Sequence, residues 1–96
     1  MDYCPDKFNI GVLGGGQLAR MLHQESIALG LNVDFLDPDL RCSVAQVSPG
    51  FQHGNFQDYD DVINFGRRHS IVTIEIENVN DKALEMLEID GVRVFP

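Results

Sequence analysis

The chain has 96 residues, enough for one small domain with a single core and too few for two lobes around a cleft. Hydrophobic residues make up 44% and charged residues 23%, a globular rather than a disordered balance. The 7 basic residues stand against 15 acidic ones, for a net charge of -8. That balance argues against a nucleic-acid or anionic-lipid surface, since both need an excess of Lys and Arg.

No apolar run approaches the roughly 18 residues of a membrane span. The start, MDYCPDKFNIGV, lacks the basic-then-apolar layout of a secretory leader. Cys4 and Cys42 lie far apart and form no CxxC pair, so a reduced, cytoplasmic protein with two free thiols is expected. His23, His53 and His69 do not sit at zinc-ligand spacing with either cysteine, and no metal site is expected.

In chain order, Phe8 to Leu13 is a short apolar run that stops at three glycines and reads as a buried strand. Leu18, Met21, Leu22 and Leu29 fall at helical spacing, and Gly30 is a C-terminal stop. Asn32 to Leu36 forms a second strand, ended by Asp37-Pro38. Residues 39–50 are irregular, with a short turn at Ser43 to Val47, and a weak third strand follows at Phe51 to His53. Asp58 caps a helix whose first turn holds Asp60 and Asp61, where carboxylates favour the helix dipole. Val62, Ile63 and Phe65 supply its apolar side, and Arg67, Arg68 and His69 suit its end. Ile71 to Ile76 is the fourth strand. Asn80 or Asp81 caps a last helix with Ala83, Leu84 and Leu87 inward and Glu85 and Glu88 outward. Val92 to Phe95 closes the chain as a fifth strand.

Strands alternating with helices specify βαβ units and a parallel sheet. With right-handed crossovers, the expected fold is an α/β, Rossmann-like three-layer domain with strand order 3-2-1-4-5. Its switch point falls between the first and fourth strands, where ligands of such sheets bind at the C-terminal strand ends. Gly14, Gly15, Gly16 and Gln17 must therefore meet Glu75, Ile76, Glu77 and Asn78.

Gly14 to Ala19 matches G-x-G-x-x-[GA] between a strand and a helix. Glycine lets a ligand approach the backbone, and the helix start attracts an anion, typically a phosphate; the bland reading is a tight structural turn. Asp37 lies 21 residues after Gly16, where dinucleotide enzymes place a ribose-binding acid, although Asp37-Pro38 reads better as a turn cap. Glu75 and Glu77 stand two apart on one strand and point to one side. Carboxylates at such a strand end suit sugar hydroxyls or an amine, against the alternative that one caps a helix or faces water. Asn78 binds ligand or holds the loop, and Arg20 counters a phosphate or lies on a solvated face. The acidic run Asp58 to Asp61 lacks the Gly and distal Glu of a calcium loop.

Gly14-Gly15-Gly16-Gln17-Leu18-Ala19-Arg20-Met21, Leu36-Asp37-Pro38-Asp39, Ala45-Gln46-Val47 and Glu75-Ile76-Glu77-Asn78-Val79 occur in this order. Together they resemble the N-terminal, pre-ATP-grasp domain of the N5-carboxyaminoimidazole ribonucleotide synthases, over residues Phe8 to Pro96. The resemblance implies an ATP-grasp ligase of de novo purine biosynthesis in the cytoplasm. ATP activates bicarbonate, and 5-aminoimidazole ribonucleotide accepts the carboxyl group on its amine. It implies that this domain helps to hold the ribonucleotide, through the glycine-loop amides of Gly14, Gly15 and Gly16 with Gln17 and Leu18. Glu75 is then the prime partner for the ribose or amine, with Glu77 and Asn78 second. Residue 19 is Ala where the family usually has Gly, which the fingerprint tolerates.

ATP and magnesium belong, by the same resemblance, to ATP-grasp and C-terminal domains that residues 1–96 do not contain. The chain is therefore expected to be a fragment that binds no cofactor and is inactive alone, its partners being 5-aminoimidazole ribonucleotide and the missing domains. A homodimer is open. The alternative is an NAD(P)-binding domain of an oxidoreductase, carried by the glycine loop and Asp37. A response-regulator-like interaction module would need an Asp ending the third strand and a Lys ending the fifth, and the sequence has His53-Gly54 and Phe95-Pro96 there.

Overall fold

A computed structural model describes residues 9–76 and 78–95. The elements are β1 (Ile10–Leu13), α1 (Gln17–Leu29), β2 (Val33–Asp37), a 3₁₀ turn (Val44–Gln46), β3 (Phe51–His53), α2 (Tyr59–Gly66), β4 (Ile71–Ile74), α3 (Asp81–Ile89) and β5 (Arg93–Phe95). All strand pairs are parallel, in the order β3-β2-β1-β4-β5, as the alternation of elements predicts. The expected first residue, Phe8, and Glu77 lie outside the described residues. The fourth strand is shorter than its apolar run: it ends at Ile74, and Glu75 and Ile76 form a bend. Among the described residues, no helix is long and apolar enough to cross a membrane.

Each helix end follows from local chemistry. Gly30 adopts φ 70°, and the amides of Gly30 and Leu31 donate to the carbonyls of Ile27 and Ser26, a Schellman closure that glycine makes without strain. Asp58 caps α2 by accepting from Asp61 N–H at 3.0 Å, while Asp61 accepts from Asn55 N–H at 2.9 Å. Of the two expected caps of α3, Asn80 is the one used: its Oδ1 accepts from Ala83 N–H at 2.9 Å. The start of α1 differs, because Gly16 occupies the cap position and offers no side-chain acceptor.

The sheet is apolar on both faces where helices cover it. Val12, Val33 and Phe35 pack with Ala19 of α1 and Val44 of the 3₁₀ turn. Leu13, Leu36 and Val72 face the other way, against Val62, Phe65, Ala83 and Leu87 of α2 and α3. The leucines of α1 are on its outside: Leu18 is 65% and Leu29 71% exposed, and Ala19, His23 and Ser26 are its buried residues. Helical spacing marked the helix there without marking its inner face, because small and polar residues fit the close approach to β1 and β2.

His69 lies buried beyond the end of α2, with Nδ1 2.8 Å from the Phe65 carbonyl and Nε2 2.7 Å from Asp34 Oδ2. The two ring nitrogens so face a backbone carbonyl on one side and a carboxylate on the other. The imidazole thereby ties the α2–β4 connection to β2. Gly11 leaves room for it: a Cβ there would stand 2.9 Å from His69 Nδ1 and 2.8 Å from Phe65 Cε2.

The contact between α2 and α3 is similarly tight at Gly66, where a Cβ would stand 2.4 Å from Leu87 Cδ1. Gly66→Ala is expected to destabilise the domain by about 1–3 kcal/mol through overpacking. Leu87→Ala, at a fully buried position, is expected to cost about 2–5 kcal/mol through the cavity it leaves. The double variant should lose clearly less than the sum, since the new methyl enters the vacated space. Urea denaturation of the four proteins measures the coupling.

Candidate functional site

The C-terminal ends of β1 and β4 come together at the switch point. Gly14, Gly15 and Gly16 leave β1, turn, and start α1. Gly14 N–H donates to the Leu36 carbonyl at 2.8 Å, and Glu75 N–H donates to the Leu13 carbonyl at 3.0 Å. Glu75 thus continues the β1–β4 ladder one step past the strand and stays on the side where the glycine loop crosses.

Each glycine has its own neighbour. Gly14 has φ 117°, and a Cβ on it would stand 2.6 Å from Glu75 Oε2. A Cβ on Gly16 would stand 3.0 Å from Glu75 Oε1. On Gly15 it would stand 2.7 Å from Cys42 Sγ. The carboxylate of Glu75 therefore rests against the loop where side chains would otherwise be, and the segment around Cys42 presses on Gly15. The Val44 N–H fixes that segment by donating to the Gly15 carbonyl at 3.0 Å.

Asp37 holds the loop from β2. Its Oδ2 accepts from Gly15 N–H at 2.9 Å and its Oδ1 from Asp39 N–H at 2.8 Å, and the residue is buried. Both oxygens are engaged by backbone amides. The turn-cap reading of Asp37 is thereby realised, with the added role of pinning the glycine loop.

Glu75 is the opposite case. Its Oε2 is buried and has no hydrogen-bond partner among the described residues. A buried carboxylate oxygen without a donor is costly, and such groups mark places where a ligand or water supplies the missing hydrogen bond. Gln17 and Leu18 are exposed in the first turn of α1, Asn78 is exposed, and Arg20 is half-buried. The amides of Gln17, Leu18 and Ala19 lie in the first turn and have no intrahelical acceptor. The structure so brings Gly14 and Gly16 to one carboxylate, Glu75, and Gln17 and Leu18 follow them in the first turn of α1. Glu77 is outside the described residues, and with β4 ending at Ile74 the strand alternation that paired it with Glu75 no longer places it.

The Glu75 carboxylate oxygens lie where Cβ atoms on Gly14 and Gly16 would stand, so that side of the loop faces an acceptor.

Cys42 was legible only as a free thiol. Burial pushes it up from its ordinary range and the nearby charge of Asp37 adds to this, while hydrogen bonds from the Ala45 and Val44 backbone oppose it. It is a packing group under Gly15 rather than a nucleophile. The irregular composition of residues 39–50 gave no signal of that contact.

Asp37→Asn leaves one acceptor oxygen for two amides and sets an NH₂ against one of them. It is expected to destabilise the fold by about 1–3 kcal/mol and to speed hydrogen exchange at the Gly15 amide. Denaturation with amide exchange measures both; unchanged stability would remove Asp37 as the brace of the loop.

Residues 8–96 match the family model for the ribonucleotide synthetase preATP-grasp domain. A phosphoribosylaminoimidazole carboxylase, chloroplastic, of Vigna aconitifolia is 39% identical over 87 residues, which cover 91% of this chain and 16% of that protein. The crystal structure of N5-carboxyaminoimidazole ribonucleotide synthetase from Thermotoga maritima superposes with a TM-score of 0.84 at 28% identity, over 92% of this chain and 24% of that one. N5-carboxyaminoimidazole synthase from Aspergillus clavatus, solved in complex with ADP and 5-aminoimidazole ribonucleotide, gives a TM-score of 0.81 at 34% identity, over 97% of this chain and 25% of that one. The chain spans a quarter or less of the length of these relatives. With its whole described fold matched and its glycine loop and Glu75 inside the matched span, this chain belongs to the ribonucleotide synthetase preATP-grasp domain family.

Proposed function

We propose that the chain is the ribonucleotide-holding N-terminal domain of an ATP-grasp ligase of de novo purine biosynthesis. That ligase carboxylates 5-aminoimidazole ribonucleotide with ATP and bicarbonate. The observation that carries the reading is the buried, unpartnered Oε2 of Glu75 against the glycine loop. A ribose hydroxyl or the aminoimidazole amine supplies the donor it lacks. Gly14, Gly15 and Gly16 provide the close approach, Gln17 and Leu18 border the ligand, and Glu77 and Asn78 stand second to Glu75.

Carboxyl transfer needs a bound nucleotide, and ATP activates bicarbonate in the assembled ligase. Among the described residues, no group of three or more His, Cys, Asp or Glu is placed to hold a metal ion. On the family membership, we assign ATP and magnesium to ATP-grasp and C-terminal domains outside residues 1–96. In this division of labour, the chain's own residues bind and orient the amine-bearing substrate and carry out no bond-making step alone. Homodimer formation and a cytoplasmic setting belong to the same proposal.

The NAD(P) reading is not favoured. It needs Asp37 to receive a ribose, and both Asp37 oxygens already accept backbone amides. An NMR titration of the 96-residue chain with 5-aminoimidazole ribonucleotide and, in parallel, NAD separates the two. Shifts at Gly14 to Leu18 and at Glu75 and Asn78 with the ribonucleotide, and none with NAD, are expected. Shifts with NAD that extend to Asp37 would overturn the proposal.

A further inference from the structure

The N-terminal ends of the strands, away from the glycine loop and Glu75, carry a second concavity. It opens between the C-terminal half of α1, the start of β2 and the segment that leads into β3. Its volume is about 570 Å³, within the range of small-molecule sites.

Polar burial is concentrated at this place. Among the described residues that are polar and buried, His23, Ser26 and Ser48 line the cleft, and His69 is joined to Asp34, which lines it too. Asp37, the remaining one, braces the glycine loop at the other end of the sheet. Buried polar groups are costly unless paired, and these are paired only in part. The Ser26 hydroxyl donates to the His23 carbonyl at 2.7 Å, within α1. Ser48 Oγ accepts from Gly50 N–H at 3.0 Å, which leaves its own proton to give. Asp34 Oδ2 faces His69 Nε2 at 2.7 Å, and Asp34 Oδ1 has no hydrogen-bond partner among the described residues.

The His23 ring stands out. The residue is 8% exposed, and its ring lies edge-on to Phe35 with centroids 6.2 Å apart. Neither ring nitrogen has a hydrogen-bond partner among the described residues. A leucine would fill the place beside Phe35 without unmade hydrogen bonds. A neutral imidazole offers one donor and one acceptor. The cleft thus presents an acceptor at Asp34, a donor at Ser48 and one of each at His23.

The frame around these groups is apolar. Ile27 and Leu31 come from α1 and its exit, and Val47 from the segment before β3; they are 67%, 37% and 39% exposed. A flat ligand with apolar faces and polar edges suits both the frame and the polar groups. Charge narrows the class. The described residues that line the cleft include no Lys or Arg, so a phosphate or carboxylate finds no counter-ion there and is repelled by Asp34.

We propose that this cleft is a second ligand site of the domain, taking an uncharged, amine-bearing aromatic heterocycle of nucleobase or nucleoside size. The amine donates to Asp34 Oδ1, a ring nitrogen accepts from the Ser48 hydroxyl, and the His23 imidazole meets the remaining polar edge. The site lies at the opposite end of the strands from Glu75 and stands independently of the ribonucleotide reading.

NMR titration of the 96-residue chain with adenine and adenosine, and with AMP as the anionic counterpart, tests this. Adenine and adenosine should give saturable shifts at the amides of His23, Ile27, Asp34, Ser48 and Gly50, with AMP about tenfold or more weaker at the same amides. His23→Leu keeps an apolar contact with Phe35 and removes both ring nitrogens. It should bind adenosine about tenfold more weakly with its thermal midpoint unchanged or raised. Ser48→Ala gives the same readout with the Phe35 contact untouched, should His23→Leu not fold. The absence of saturable shifts at these amides would overturn the proposal, as would AMP binding there as tightly as adenosine. Wild-type affinity in the folded variants would overturn it too, by leaving His23 and Ser48 as packing residues. So would adenosine shifts confined to Gly14 to Leu18 and Glu75, which would put the heterocycle at the other end of the sheet. No aminoimidazole ribonucleotide is present in the titration, so a failure of that reading leaves the result unaltered.

Discussion

The structure turns on a lack of space at one place. The backbone from Gly14 to Gly16 runs between the Glu75 carboxylate on one side and Cys42 with Asp37 on the other, at distances that admit hydrogen atoms and no Cβ. Asp37 fixes the loop through the Gly15 amide, and the Gly15 carbonyl in turn holds the segment after β2 through Val44. With the loop so fixed, the start of α1 and the end of β4 are placed, and the Glu75 carboxylate is pressed against backbone instead of turning to water. The two acids do different work because one has its donors and the other does not.

Most of the architecture was legible because it depends on local, periodic signals. The alternation of apolar runs with caps such as Asp58 and Asn80, together with the handedness of crossovers, leaves little choice of strand order. The meeting of the glycine loop with Glu75 followed from that order without any knowledge of side-chain contacts. What escaped was set by packing between distant segments. The leucines of α1 have helical spacing but face outward, since the approach to β1 and β2 admits Ala19, His23 and Ser26 and no larger apolar stripe. The fourth strand stops at Ile74 although Ile76 extends its apolar run, because its neighbour β1 ends at Leu13, the register partner of Ile74. The role of Cys42 under Gly15 had no local signal at all.

These departures bear on function together. Among the described residues, the outward leucines of α1 and the unpartnered oxygen of Glu75 are two such features. Each is a cost if the domain works alone, through exposed apolar area or an unmade hydrogen bond. Under the proposed function, the unmade hydrogen bond at Glu75 is made when a substrate donor reaches it. The relatives this chain matches carry three quarters or more of their length outside the matched region.

The central claim is that Glu75 is held without a donor so that substrate can provide one. Calorimetric titration of 5-aminoimidazole ribonucleotide into the wild-type chain and into Glu75→Gln tests it most directly. The amide keeps the size of the side chain and removes the charge that strengthens an accepted hydrogen bond. The account predicts affinity about 10–100-fold weaker for the variant, with its thermal stability retained or improved. Equal affinity in the two proteins would contradict it and leave Glu75 as a packing residue of the glycine loop.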